Sequence, residues 1–332
     1  MNATRPIIAG ILASAAFCAT HAVDPWVVYE GGDGAGKGKH VVIVTGDDEY
    51  RSEESMPPFG KILAARHGFK VTVLFAINPE TGAIAPEVQN NIPGLDALDN
   101  ADLMILFTRF RDLPDEQMKR IIDYTDSGRP IMALRTATHA FFFKNAADPN
   151  AKWSWNSKDP KGGYGREVLG ETWVNHYGNH KAESTRGVIA EGMKDSPLVR
   201  GCEDIWGPSD VYGITTLSGD SNPVVMGQVL KGMNPDDAPN AEKPMVPVAW
   251  IKSYTGTSGK PSRVFTTTMG HSFDLKSEGF RRLLVNAVYW GLGMEDVVPP
   301  RANVDFIGEY APADIGFGTN RVGVMPSEHV MK

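Results

Sequence analysis

The chain has 332 residues, 40 of them acidic and 33 basic, and a formal net charge of −7. An acidic chain without a basic run is poorly suited to nucleic acid or to an anionic membrane surface. After the first 22 residues no stretch is long and apolar enough for a transmembrane helix. Of the two cysteines only Cys202 would remain in a processed chain, so an intramolecular disulfide is excluded and stability must come from an ordinary core.

Residues 1–22 place Arg5 ahead of an apolar run from Ile7 to Phe17, with small residues at Thr20 and Ala22. This is the layout of a signal peptide cleaved near Ala22, and the run is too short for a membrane anchor. Bulky Phe17 before Cys18 argues against a lipoprotein. The expected mature chain is exported, periplasmic or extracellular, and loses Arg5 alone, which takes the charge from −7 to −8. Residues 23–39 are expected to be a flexible leading segment. Its glycine run, 31–36, precedes the first strand and therefore cannot cradle a phosphate as a loop after that strand would.

From residue 40 short apolar runs alternate with helical periodicity. Residues 41–45 (VVIVT) read as a buried strand, 57–67 as a helix opened by proline and closed by Gly68, and 70–76 and 102–108 as strands. Residues 114–127 form a helix with Pro114 at its start and acids in its first turn, followed by a strand at 131–135. Such alternation predicts a parallel α/β sheet covered on both faces. Residues 144–166 read as a long surface excursion. Strand-like runs follow at 187–190, 223–230, 246–252 and 263–268, then a helix at 277–292. Residues 297–332 have no sustained period and read as an extended tail. No repeat or linker divides the chain.

In open parallel sheets ligands bind beyond the carboxyl ends of the strands. Those ends are polar here: Gly46-Asp47-Asp48-Glu49-Tyr50, Thr108-Arg109-Phe110-Arg111 and Arg135-Thr136-Ala137-Thr138-His139. His139 follows the fourth strand, His271 follows Gly270, and His176 and His180 sit in WVNHYGNH. His139, His176 and His271 are expected to converge on one pocket with His180 nearby. They would serve either as ligands of a divalent metal such as zinc or in proton transfer and hydrogen bonding. Arg135 would hold a ligand's negative charge, or pair with an acid such as Glu171 or Asp47. Asp47 and Glu49 could receive sugar hydroxyls or cap the next helix. Arg109 belongs to a surface ion pair or to the ligand site. Trp173, with Trp153, Trp155, Trp206 and Tyr212, would stack on a sugar or pack the core. No G-x-S-x-G, Walker, GxGxxG or CxxC motif is present.

The segments VVIVTGDDEYRSEESMP, ADLMILFTRFRDLPDEQM, GRPIMALRTATHAF, GETWVNHYGNH, VFTTTMGHS and FRRLLVNAVYWGLGME together resemble the trehalose-utilisation (ThuA-like) proteins over residues 40–296. The tail VDFIGEYAP and its GFG look most like an exported, planctomycete-type branch. The resemblance implies a class I glutamine amidotransferase-like fold: a flavodoxin-like three-layer sandwich with a mainly parallel central sheet. It puts Arg135 where the amidotransferases carry their cysteine nucleophile, and Cys202 lies far off in sequence, which excludes glutaminase chemistry. It also implies breakdown of trehalose, a related disaccharide or a keto-sugar. His139, His271, Arg135 and His176 would be catalytic, and Asp47, Glu49, Arg109, Glu171, Trp173 and His180 would bind substrate. The alternative is a non-catalytic carbohydrate-binding or partner-binding module on the same fold, with oligomerisation left open.

Overall fold

The computed structural model describes Met1 and residues 24–331, so the signal peptide read at 1–22 lies outside the described residues save for its first. Successive residues of the first predicted strand point to opposite sides of the sheet, and each side is covered. In β2 (His40–Gly46), Val41 and Ile43 pack with α1 (Ser52–His67) and α3 (Glu278–Gly291). Val42 and Val44 pack with α2 (Asp115–Asp126) on the other face. A strand buried on both faces needs no alternation of polar and apolar residues, which is why it reads as one apolar run.

Four strands form a parallel block in the order β3 (Lys70–Leu74), β2, β4 (Leu103–Thr108), β5 (Ile131–Leu134). The remaining strands change the fold class. With β1 (Trp26–Tyr29), β6 (Thr185–Ile189), β7 (Trp206–Gly207), β8 (Asn222–Val229), β9 (Val246–Thr255) and β10 (Pro261–Thr267), the ten-stranded sheet runs β1-β3-β2-β4-β5-β10-β9-β8-β6-β7. Four of the nine pairings are parallel and five antiparallel. The expected flavodoxin-like, class I glutamine amidotransferase-like sandwich with a mainly parallel sheet is therefore incorrect; the sheet is mixed. The cause is connection length. Only residues 256–260 join β9 to β10, a link that permits a hairpin but not the crossover a parallel pair requires.

Three further segments differ from their reading. α1 starts at Ser52, so Pro57 and Pro58 lie inside it, and Ser52 Oγ accepts hydrogen bonds from Gly46 and Asp47. Within the leading segment, β1 pairs antiparallel with β3, and the glycine run packs against the end of α1. A Cβ on Gly31 would come within 2.1 Å of the Gly68 carbonyl oxygen, so backbone contact explains the glycine there. The tail buries Ala302, Val304 and Ile315, and Tyr29 donates a hydrogen bond to the His329 carbonyl at 2.8 Å.

Candidate functional site

Each of three loops at the sheet's carboxyl edge begins with or contains a non-glycine residue in the left-handed region: Arg51 (φ 63) after β2, Phe110 (φ 48) after β4 and Arg135 (φ 45) after β5. A fourth, Lys181 (φ 60), follows the WVNHYGNH loop. Such backbone persists only where its surroundings over-determine it, and it collects at ligand sites.

At the centre is Arg135, wholly buried between Tyr50 and Tyr212, whose ring centroids lie 4.4 and 3.7 Å from its guanidinium carbon. Nη1 donates to the carbonyls of Asp210 and Thr268 at 2.7 and 2.8 Å; Nη2 donates to Asp210 Oδ1 at 2.8 Å and to Tyr50 Oη at 3.1 Å. Arg135 thus braces the site from below, and its acid is Asp210 rather than Glu171 or Asp47.

Asp210 organises two histidines. Its Oδ2 accepts from His176 Nδ1 at 2.6 Å, and its Oδ1 from His180 Nδ1 at 2.9 Å. Burial would raise its pKa, but Arg135 and these two hydrogen bonds hold it well below the usual carboxylate range. An ionised acceptor at each Nδ1 orients the two imidazoles and leaves Nε2 as the nitrogen not engaged by Asp210. The rings are 4.8 Å apart between centroids, and His180 Nε2 lies 3.6 Å from Glu49 Oε1.

His271 works differently. Its Nδ1 accepts the Phe273 amide N–H at 2.9 Å, so Nε2 carries the proton. Burial, then Arg135 and His180, push its pKa down to about 3, leaving a neutral donor. His180, Asp210 and His271 together line a cavity of about 370 Å3, within the usual size of a small-molecule site. His139 lies in the aromatic wall among Phe110, Trp173 and Tyr212, and burial holds it neutral.

The other predicted residues divide. Trp173 is partly exposed and touches Trp155, His139, His176 and Tyr212, which makes it part of that wall. Arg109 pairs with Asp48 at 3.1 Å and Glu49 at 3.5 Å, between the rings of Phe110 and Phe317. Asp47 is buried, accepts the amides of Glu49 and Tyr50, and receives the Thr136 hydroxyl, so it shapes the loop. Glu171 is buried against Arg166 at 2.7 Å and the Thr172 amide. Cys202 is buried beside Asn286, its thiol pushed up to about 12 by burial.

As a metal set, His139, His176 and His271 do not come together. Among the described residues His176, His180 and Asp210 each offer a ligand atom within 4.8 Å of the others. Asp210 is already engaged by Arg135. The set therefore suits a divalent ion only through the outward Nε2 atoms, with Asp210 behind the imidazoles as the carboxylate that commonly orients metal-ligating histidine. Sequence reasoning missed Asp210 and the tail's Asp314 and Phe317, and named Tyr50 only as part of a sheet end. A lone acid in SDVY carries no local signal, since three other chain segments give it its role.

No protein-family model and no curated protein matches the chain. A solved ThuA-like protein from Parabacteroides merdae is 14% identical, with a TM-score of 0.50, covering 77% of this chain and 90% of that one. Another from Bacteroides uniformis is also 14% identical, with a TM-score of 0.47, covering 82% and 98%. At such identity likeness reaches the architecture alone: this chain has a ThuA-like fold.

Proposed function

We propose that the protein is an exported enzyme of carbohydrate breakdown, acting on trehalose, a related disaccharide or a keto-sugar by histidine–carboxylate acid–base chemistry. One observation carries the reading: Asp210 orients His180 so that its free nitrogen is available beside a cavity that His271 also lines. A carboxylate-oriented imidazole is a general base, and a neutral imidazole N–H is a donor for an oxygen gaining negative charge. In this reading His180, seconded by His176, takes a proton from the sugar, from a hydroxyl or from a carbon beside a carbonyl. His271 Nε2–H steadies the oxygen that gains charge. Trp206 and Phe273, which line the cavity, supply ring surface for the sugar. A divalent metal, were it held by the Nε2 atoms of His176 and His180 with Glu49 alongside, would supply polarisation of a carbonyl or water in place of the part His180 plays as base.

The test is turnover of trehalose, related disaccharides and their keto forms by purified protein, before and after chelation, beside metal analysis. Product that disappears in His180→Ala supports the proposal; ligand binding with no product from any sugar refutes catalysis. A sugar-binding protein without turnover is the second reading, favoured by the partly exposed Trp155 and Trp173. It predicts that Trp173→Ala abolishes binding while His180→Ala does not.

A further inference from the structure

The cavity that His180 and His271 line is closed by residues from the end of the chain. Asp314 and Ile315 form part of its wall. The segment 311–316 has no helix or strand, and Gly316 anchors it by donating its amide to the Glu49 carbonyl at 3.0 Å. Asp314 turns its carboxylate toward His271: Oδ1 lies 3.8 Å from Nε2, the nitrogen that carries the proton, although the Asp314 side chain is 76% exposed. A carboxylate thus already stands at the donor face of a buried imidazole.

The charges around it favour an anion. Lys181 and Lys276 line the same cavity. Among the described residues the Lys181 ammonium has one hydrogen-bond partner, the Ile315 carbonyl at 3.4 Å, and that of Lys276 lies 4.1 Å from the centroid of the Phe273 ring. Among the described residues neither lysine forms an ion pair. Of the acids nearby, Asp210 is balanced by Arg135. Asp274 is buried, receives the Ser209 hydroxyl and the amides of Gly270 and His271, and is pushed upward by burial. Among the acids that line the cavity, Asp314 alone opposes the two lysines without a cation of its own; its side chain is exposed, and its Oδ1 also accepts the Ile315 amide at 2.8 Å. Trp206 and Phe273 supply ring surface for the rest of a ligand.

We infer that this cavity takes the carboxylate of an acidic sugar, held by Lys181, Lys276 and His271 Nε2–H, and that Asp314 presents its own carboxylate at the same position and competes with it. The inference rests on the reading of the site as one that acts on a sugar, and puts uronic or aldonic acids in place of the neutral disaccharides named there. Asp314 then sets specificity, since a neutral sugar has nothing with which to displace it.

Calorimetric titration of the full-length protein with glucuronate, glucose and glucose 6-phosphate tests this. Glucuronate should bind at least tenfold more tightly than glucose. Lys181→Gln and Lys276→Gln should each weaken glucuronate about threefold, as partly exposed charge pairs do, and leave glucose unchanged. Asp314→Asn should tighten glucuronate about threefold and leave glucose unchanged. Equal affinity for glucose and glucuronate, or lysine variants that weaken both alike, would overturn the inference and leave the sugar reading standing. Tighter binding of glucose 6-phosphate would assign a phosphate and overturn the carboxylate. An Asp314→Asn protein indistinguishable from the parent would remove the competing role. If none of the three binds, the inference falls, and the sugar reading is judged separately by disaccharide turnover in the parent and His180→Ala proteins.

Discussion

Asp210 Oδ1 lies 2.8 Å from Arg135 Nη2, and both side chains are almost wholly buried. Replacing Arg135 with methionine keeps most of the volume but leaves the carboxylate without its cation. Breaking a buried pair from one side typically costs about 3–5 kcal/mol, and urea unfolding of Arg135→Met should show a loss of that order. A loss below about 1 kcal/mol would mean that His176 and His180 suffice to hold the charge.

His180 and His176 are partly exposed, so their removal should leave folding nearly intact. His180→Ala should lower turnover by about 10²–10⁴-fold, the usual worth of a positioned acid or base, with the thermal midpoint almost unmoved. His176→Ala should have the smaller effect, since His176 does not line the cavity with His180 and His271. A reversed order of effects would assign the base to His176.

Gly270 precedes His271 with φ 150, and a Cβ there would meet the Arg135 Cβ at 3.0 Å. The room left by its missing side chain is thus filled by Arg135 and not by a ligand. Gly270→Ala should cost about 1–3 kcal/mol through overpacking and weaken ligand binding as Arg135 shifts. Unchanged stability and affinity would show that the loop relaxes freely.

Glu53 is buried with neither carboxylate oxygen hydrogen-bonded, and burial raises its pKa to about 8. Between its unfolded value of 4.5 and about 8 the native state holds a proton that the unfolded chain has released. Stability from this group therefore falls as pH rises through that window, by about 1.4 kcal/mol per unit. Glu53→Gln should flatten the decline and be the more stable protein at pH 8. Parallel unfolding free energies for both proteins from pH 5 to 8 would contradict the assignment.

How much was readable follows from how local each signal is. The parallel block was legible because a strand covered on both faces is a continuous apolar run, as at Val41–Val44. Strand direction was not. Residues 246–252 and 263–268 look alike whichever way they run, and only the short turn between β9 and β10 decides. The placing of His139 and His271 after sheet ends, and of His176 and His180 in a polar loop, was readable because each rests on its immediate neighbours in sequence. Asp210 was not, because its meaning comes from Arg135, 75 residues away. The prolines of α1 misled, since Pro57 normally opens a helix and here lies in its second turn.

The hydrogen bond from Tyr29 to the His329 carbonyl spans 300 residues, and Gly316 and Asp314 reach the site only from that far end of the chain. The cavity therefore lacks one wall until the segment 311–316 has docked on the loop after β2. Every strand pairing is complete by Thr267, so loosening that segment would leave the sheet assembled and the site unfinished, and foldedness and competence come apart.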